Sequence, residues 1–162
     1  MITVTRTLVF ASLLAVTVAA PGAAVSAQAN NPVIGTWELN VAKSKYTPGP
    51  GPKSETRTYT ATANGYTFSS KGVGADGKPT AVTFSVTFDG KYHPMTGNPN
   101  ADSIMVKRIN ARSTESTQKR GVKVVNHTTR VISKDGKTMT NTSKGTDAAG
   151  KATSSVAVFD KK

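Results

Sequence analysis

Ser54-Glu55-Thr56-Arg57-Thr58-Tyr59-Thr60-Ala61-Thr62-Ala63-Asn64-Gly65-Tyr66-Thr67-Phe68-Ser69-Ser70-Lys71-Gly72 decides the fold class. Its first half alternates strictly. Thr56, Thr58, Thr60 and Thr62 share one face, and Arg57, Tyr59, Ala61 and Ala63 share the other. That period of two is the mark of a strand with two unlike sides. Asn64-Gly65 then signals a tight hairpin, with positive φ expected at both residues of a type I′ turn. Tyr66, Phe68 and Ser70 run back on the inner face of the partner strand.

The same unit repeats outward from this hairpin. Thr80–Phe88 places Val82, Phe84, Val86 and Phe88 inside and Ala81, Thr83, Ser85 and Thr87 outside. Asp76-Gly77-Lys78, Asp89-Gly90-Lys91, Lys119-Arg120-Gly121 and Asp135-Gly136-Lys137 read as turns between such strands. Upstream, Gly35–Lys45 reads as one strand with Trp37 and Leu39 on a common face. The proline- and glycine-rich run Tyr46–Lys53 allows neither helix nor ladder and reads as a loop over one barrel end. A second irregular loop is expected at 93–102. Ser103–Ala111 is a strand with Ile104, Val106 and Arg108 inside, and Arg112–Gln118, mostly polar, reads as a poorly committed strand. In 122–133, Lys123 outward puts Val122, Val124, Thr128, Arg130 and Ile132 inside, but Val125 and Val131 oppose that phase, so a mid-strand bulge is expected. Thr138–Ser143 and Ala152–Asp160 complete the chain. The expected fold is all-β: a single antiparallel up-and-down barrel of about 8–10 strands, because a meander this long removes its free edges by closing. Ten strands leave room for one small ligand.

Composition bounds the setting. The chain has 162 residues, no cysteine and a formal charge of +12, or +11 without Arg6. Residues 1–29 read as an export signal: Arg6, then the uncharged run Leu8–Ala20, then small residues at Ala27 and Ala29. The run is shorter than a membrane span, and no cysteine follows it for lipid attachment. Residues 30–162 are then the barrel domain, expected in the periplasm or medium of a bacterium, with no transmembrane segment. A fold exported without disulfides relies on packing and strand pairing. The basic surface is suited to anionic envelope polymers or lipid headgroups. Nucleic acid is not expected, since clustered stacking aromatics are missing.

Chemistry-bearing motifs are scarce. His93 and His127 have no ligand partner at metal spacing; His93-Pro94 with Asp102 forms at most a small polar loop site. Glu38, Glu55 and Glu115 are isolated, and no Gly-x-Ser-x-Gly elbow or phosphate loop occurs. No catalytic residue, metal or cofactor is assigned. A barrel-type isomerase or cyclase therefore ranks behind a binding protein and a structural or interaction module with a filled interior.

Gly35-Thr36-Trp37, ahead of a meander, resembles the Gly-x-Trp opening of the calycin superfamily, the lipocalins and fatty-acid-binding proteins. The ending Val156-Ala157-Val158-Phe159-Asp160-Lys161-Lys162 is similar to the last strand of the fatty-acid-binding group, and the whole chain resembles small exported bacterial proteins of lipocalin-like character. The resemblance implies a barrel around a hydrophobic ligand. It departs where that group has a helix pair after the first strand, and where it has Arg-x-Tyr in the last. It further implies that Trp37 is a structural plug at the closed end, with Arg130 as the candidate cation over its ring.

Strand alternation supplies the rest of the candidate site. Arg57 and Arg108 share faces with apolar residues, and a guanidinium turned inward must find an anion or acceptors. With Tyr59 and Tyr66 they would hold an anionic head. Phe68, Phe84 and Phe88 would surround an apolar tail. The expected ligand is hydrophobic or amphiphilic, with an anionic head as its charged form.

Overall fold

In a computed structural model of the protein, the structure describes residues 31–162, and the export signal expected at 1–29 lies outside the described residues. The described residues form eleven strands in one sheet. They are β1 (Gly35–Leu39), β2 (Lys45–Thr47), β3 (Ser54–Thr62), β4 (Gly65–Val73), β5 (Pro79–Thr87), β6 (His93–Thr96), β7 (Ser103–Asn110), β8 (Ser113–Arg120), β9 (Lys123–Ile132), β10 (Thr138–Thr146) and β11 (Ala152–Lys161). Every pairing is antiparallel, and β1 bonds to both β3 and β11, so the sheet closes. β1 and β2 both pair with β11 and share one position in the ring, which makes the barrel ten-stranded.

The first strand breaks where continuity to Lys45 was expected. Asn40 caps a single 3-10 turn at Val41–Lys43, its side chain accepting from the Lys43 N–H, and β2 resumes beyond it. The break costs little. Asn40 N–H and the Ser44 hydroxyl tie the turn to the backbone of Val158, so β11 keeps its partners. Tyr46 and Thr47 belong to β2, and the irregular strap is Pro48–Lys53.

The Asp-Gly-Lys turns form as their sequence dictates. Gly77, Gly90 and Gly136 have positive φ, and Asp76, Asp89 and Asp135 accept the backbone N–H two residues on. The Lys91 N–H, followed by His93, holds the Asp89 carboxyl down at about 2. The Asn64-Gly65 hairpin differs from expectation. No non-glycine residue among those described has positive φ, and Gly65 is already the first residue of β4, paired with Thr62. Glycine is needed there for room: a Cβ would collide with the Val86 carbonyl oxygen.

Three further expectations meet the structure in 93–133. His93–Thr96 is a strand, although Pro94 leaves it paired to β5 only through Thr83–Thr96 and Phe84–Met95. The polar segment after Arg112 is a full strand, and Lys119 and Arg120 belong to it, so the turn sits at Gly121-Val122. The bulge expected in 122–133 is present, since the register passes from Gln118–Asn126 to Lys119–Val124 and skips Val125. Thr128, Arg130 and Ile132 face inward and Val125 is buried by the bulge, whereas Val122 and Val124 are exposed.

The topology gives the barrel two unlike ends. The turns at 63–64, 111–112 and 133–137 gather at one, where the core is dense. Trp37 there is wholly buried, and its Nε1–H donates to the Val33 carbonyl at 2.8 Å, pinning the segment before β1 to the indole. The strap 48–53 and the loops 74–78, 97–102, 121–122 and 147–151 gather at the other end.

Candidate functional site

The interior is hollow between these ends. A lumen of about 280 Å³ runs along the barrel axis, and an entrance space of about 510 Å³ lies under the strap. The two share Tyr46, Pro52, Asn98 and Gln118 on their walls, so the lumen opens at the strap end.

The lumen has two chemically different walls, set by which strands supply them. β3, β4 and β5 contribute rings. Tyr59 meets Tyr66 and Phe68 edge-on at 5.3 and 5.0 Å, and Phe68 stacks on Phe84 at 4.5 Å. These contacts run between adjacent strands of one wall, and the interior is crossed at Tyr66, whose hydroxyl meets Arg130 of β9. β8, β9 and β10 contribute Thr114, Ser116, Gln118, Thr128, Asn141 and Ser143. The Thr128 and Ser143 hydroxyls bond each other at 2.7 Å, and the Asn126 amide donates to Thr128 at 3.2 Å.

Two arginines line this space with opposite charge accounts. Arg57 is paired: its Nε and Nη2 donate to the two carboxylate oxygens of Glu55 at 2.9 and 3.0 Å, with the guanidinium 4.1 Å from the Phe159 ring centre. Arg130 is 8% exposed, and its Nη2 donates to the Tyr66 hydroxyl at 3.0 Å. Its guanidinium lies 5.0 and 5.4 Å from the Tyr59 and Tyr66 ring centres. No carboxylate of the described residues lies within ion-pair distance of it. Burial works against its charge, but the phenol oxygens of Tyr66 and Tyr59 outweigh that and hold it above the ordinary guanidinium value. Burial also raises the Tyr66 phenol, against the pull of Arg130, so this partner is a neutral hydroxyl at neutral pH. Arg130 is thus a permanent positive charge in the lumen whose hydrogen-bond partner is neutral.

The structure brings Arg57, Tyr59, Tyr66, Phe68 and Phe84 to the lumen wall, as alternation predicts. Phe88 faces inward but lies beyond the lumen, 5.9 Å from Tyr66. Arg108 is not inside. It keeps the phase of Ile104 and Val106, paired with Thr114, but sits at the end of the barrel beyond the lumen, where it is exposed with its guanidinium 4.3 Å from the Phe88 ring centre. The pairing of Arg130 with Trp37 is also corrected. The cation over Trp37 is Lys161, at 5.1 Å, reached because β11 lies directly beside β1.

His93 and Asp102 do not form a site. His93 faces Asp89 at 3.0 Å, and Asp102 accepts from the Gly121 N–H at 2.7 Å. His127 stands on the outer face beside Thr117.

Glu55 and Asn141 are lumen residues that sequence reasoning missed. Glu55 carried a signal, since it lies two residues from Arg57 on the same face. Asn141 carried none, because Thr140, Asn141, Thr142 and Ser143 are polar throughout and show no alternation.

No protein-family model matches the chain, and no curated protein matches it. Among solved structures, it is similar to zebrafish ileal bile acid-binding protein complexed with cholic acid, at 15% sequence identity and a TM-score of 0.50. The likeness covers 81% of this chain and 99% of that one. The chain therefore has the closed ten-strand barrel of the calycin type.

Proposed function

We propose that this protein is an exported binding protein for a small amphiphile with a negatively charged head, held in the lumen of the periplasmic or secreted barrel. The observation that carries the reading is Arg130: a buried guanidinium facing open space, with no carboxylate of the described residues in reach, that an incoming anion would complete. The ring wall of Tyr59, Phe68 and Phe84 supplies apolar surface for the remainder of the ligand. Titration with decanoate and with decyltrimethylammonium, followed by displacement of anilinonaphthalene sulfonate fluorescence, tests it. Decanoate should displace the probe and the cation of equal chain length should not. Equal displacement by both, or by neither, would remove the anionic head from the proposal. Native mass spectrometry of the purified protein would name the natural ligand by its mass.

A second reading, association with anionic envelope polymers or lipid headgroups, is favoured by one feature of the strap end. Val122 is 97% exposed at the tip of the β8–β9 turn, with Arg120 and Lys123 exposed on either side. An apolar tip between cations suits an anionic bilayer surface. Because the lumen is hollow, this reading adds to the first and no longer needs a filled interior. Sedimentation with phosphatidylglycerol vesicles but not phosphatidylcholine vesicles, weakened severalfold by Val122→Asp, is the expected result. Equal sedimentation of wild type and variant would exclude the tip.

A further inference from the structure

Asn141 on β10 is registered directly against Arg130 on β9. Both side chains are buried and both line the lumen, at 7% and 8% exposure. Directly opposed residues on adjacent antiparallel strands have Cβ atoms roughly 5 Å apart, so whatever the guanidinium holds is also within reach of the amide. Around them the polar wall is largely self-satisfied, through the bonds among Asn126, Thr128 and Ser143. Asn141 stands outside that network: its Oδ1 is buried and accepts no hydrogen bond. A buried acceptor without a donor is uncommon and costly, and in a cavity wall it marks where a donor belongs.

We propose that the ligand carries, close to its anionic group, a hydrogen-bond donor that Asn141 Oδ1 accepts. The class is then a hydroxylated acid rather than a plain alkyl carboxylate. This rests on the reading of the lumen as a site for an anion-headed amphiphile. A carboxylate presents only acceptors. It can accept hydrogen bonds from Arg130 and from the Asn141 amide nitrogen, but it leaves Oδ1 without a partner. Turning the amide over does not help, since its carbonyl would then face the carboxylate oxygens. A hydroxyl one or two carbons from the carboxylate supplies the missing O–H at the spacing of the two strands. The Thr146 hydroxyl, the other buried oxygen without a partner among the described residues, lies at the entrance and could not serve the same head.

The experiment is calorimetric titration of wild type and Asn141→Leu with decanoate, 2-hydroxydecanoate and 3-hydroxydecanoate. On wild type, at least one hydroxy acid should bind about tenfold tighter than decanoate, the value of one satisfied buried acceptor. Asn141→Leu should lose the preference, binding the hydroxy acids no tighter than decanoate. Equal affinities for the three acids on wild type would overturn the inference, whether or not the variant folds, and leave the anionic-head reading standing. A preference that survives in a variant with a native melt would also overturn it. No binding of any acid would overturn both.

Discussion

Replacing Arg130 with Met in a Tyr66→Phe background should abolish high-affinity binding of anionic amphiphiles while leaving the ligand-free protein at least as stable. The two effects separate because the charge is costly in the empty barrel and useful only when a ligand completes it. Arg130 is buried with the neutral Tyr66 hydroxyl as its partner, so its desolvation is offset by hydrogen bonding and ring contacts but not by an opposite charge. Met is of similar length and would fill the space without that cost. The Tyr66→Phe change avoids stranding the hydroxyl that accepts from Arg130 at 3.0 Å. Removal of the partner of a buried, hydrogen-bonded anion costs about 2–5 kcal/mol of binding, or at least a roughly thirtyfold loss for decanoate. The unfolding free energy from urea titration without ligand should stay level or rise, by at most about 4 kcal/mol. If stability collapsed instead, Arg130 would be a structural hub of the aromatic wall and the ligand reading would lose its main support. Arg57→Met is the contrast. It strands Glu55, its bidentate partner at 2.9 and 3.0 Å, and should lower stability.

Trp37→Ala should be the most destabilising single truncation in the barrel, at about 3–5 kcal/mol. That is a large share of the roughly 5–15 kcal/mol that holds a typical domain together. The indole is wholly buried at the closed end, and its loss would both open a cavity and free the Val33 carbonyl it bonds at 2.8 Å. Trp37→Phe keeps most of the ring volume and loses only the N–H, so it should cost markedly less. Trp37 is the sole tryptophan, so both variants should be followed by far-ultraviolet circular dichroism in urea. A cost below about 1 kcal/mol for the alanine variant would show that the segment before β1 is not anchored there, and that the closed end is closed by something else.

The legibility of the fold and of the site follows one physical variable, the contrast between the two faces of each strand. Where the inner face is apolar, as at Tyr66-Phe68-Ser70 or Val82-Phe84-Val86, the period of two is enough to assign the inward residues, and the lumen rings stand where alternation puts them. Where the lumen itself is polar, contrast disappears. β8 and β10 are polar on both faces because their inner faces line the hydroxyl and amide wall, so Thr114, Ser116, Gln118 and Asn141 could not be told from surface residues.

From the residues alone came the all-β class, the hairpin series, the opening strand with Trp37 inward and a bulge in β9. Each depends on local rules: alternation, the φ demands of glycine turns and the shape of proline. Tertiary structure decided which arginine sits beside which partner. Arg130 moved from Trp37 to Tyr66, Lys161 took its place, and Arg108 lies over Phe88 at the barrel's end, because these contacts depend on how the strands close round the ring, as in the register of β1 with β11. A one-residue difference in register reverses a side chain's face, and no strand carries in its own sequence the register of a partner at the far end of the chain.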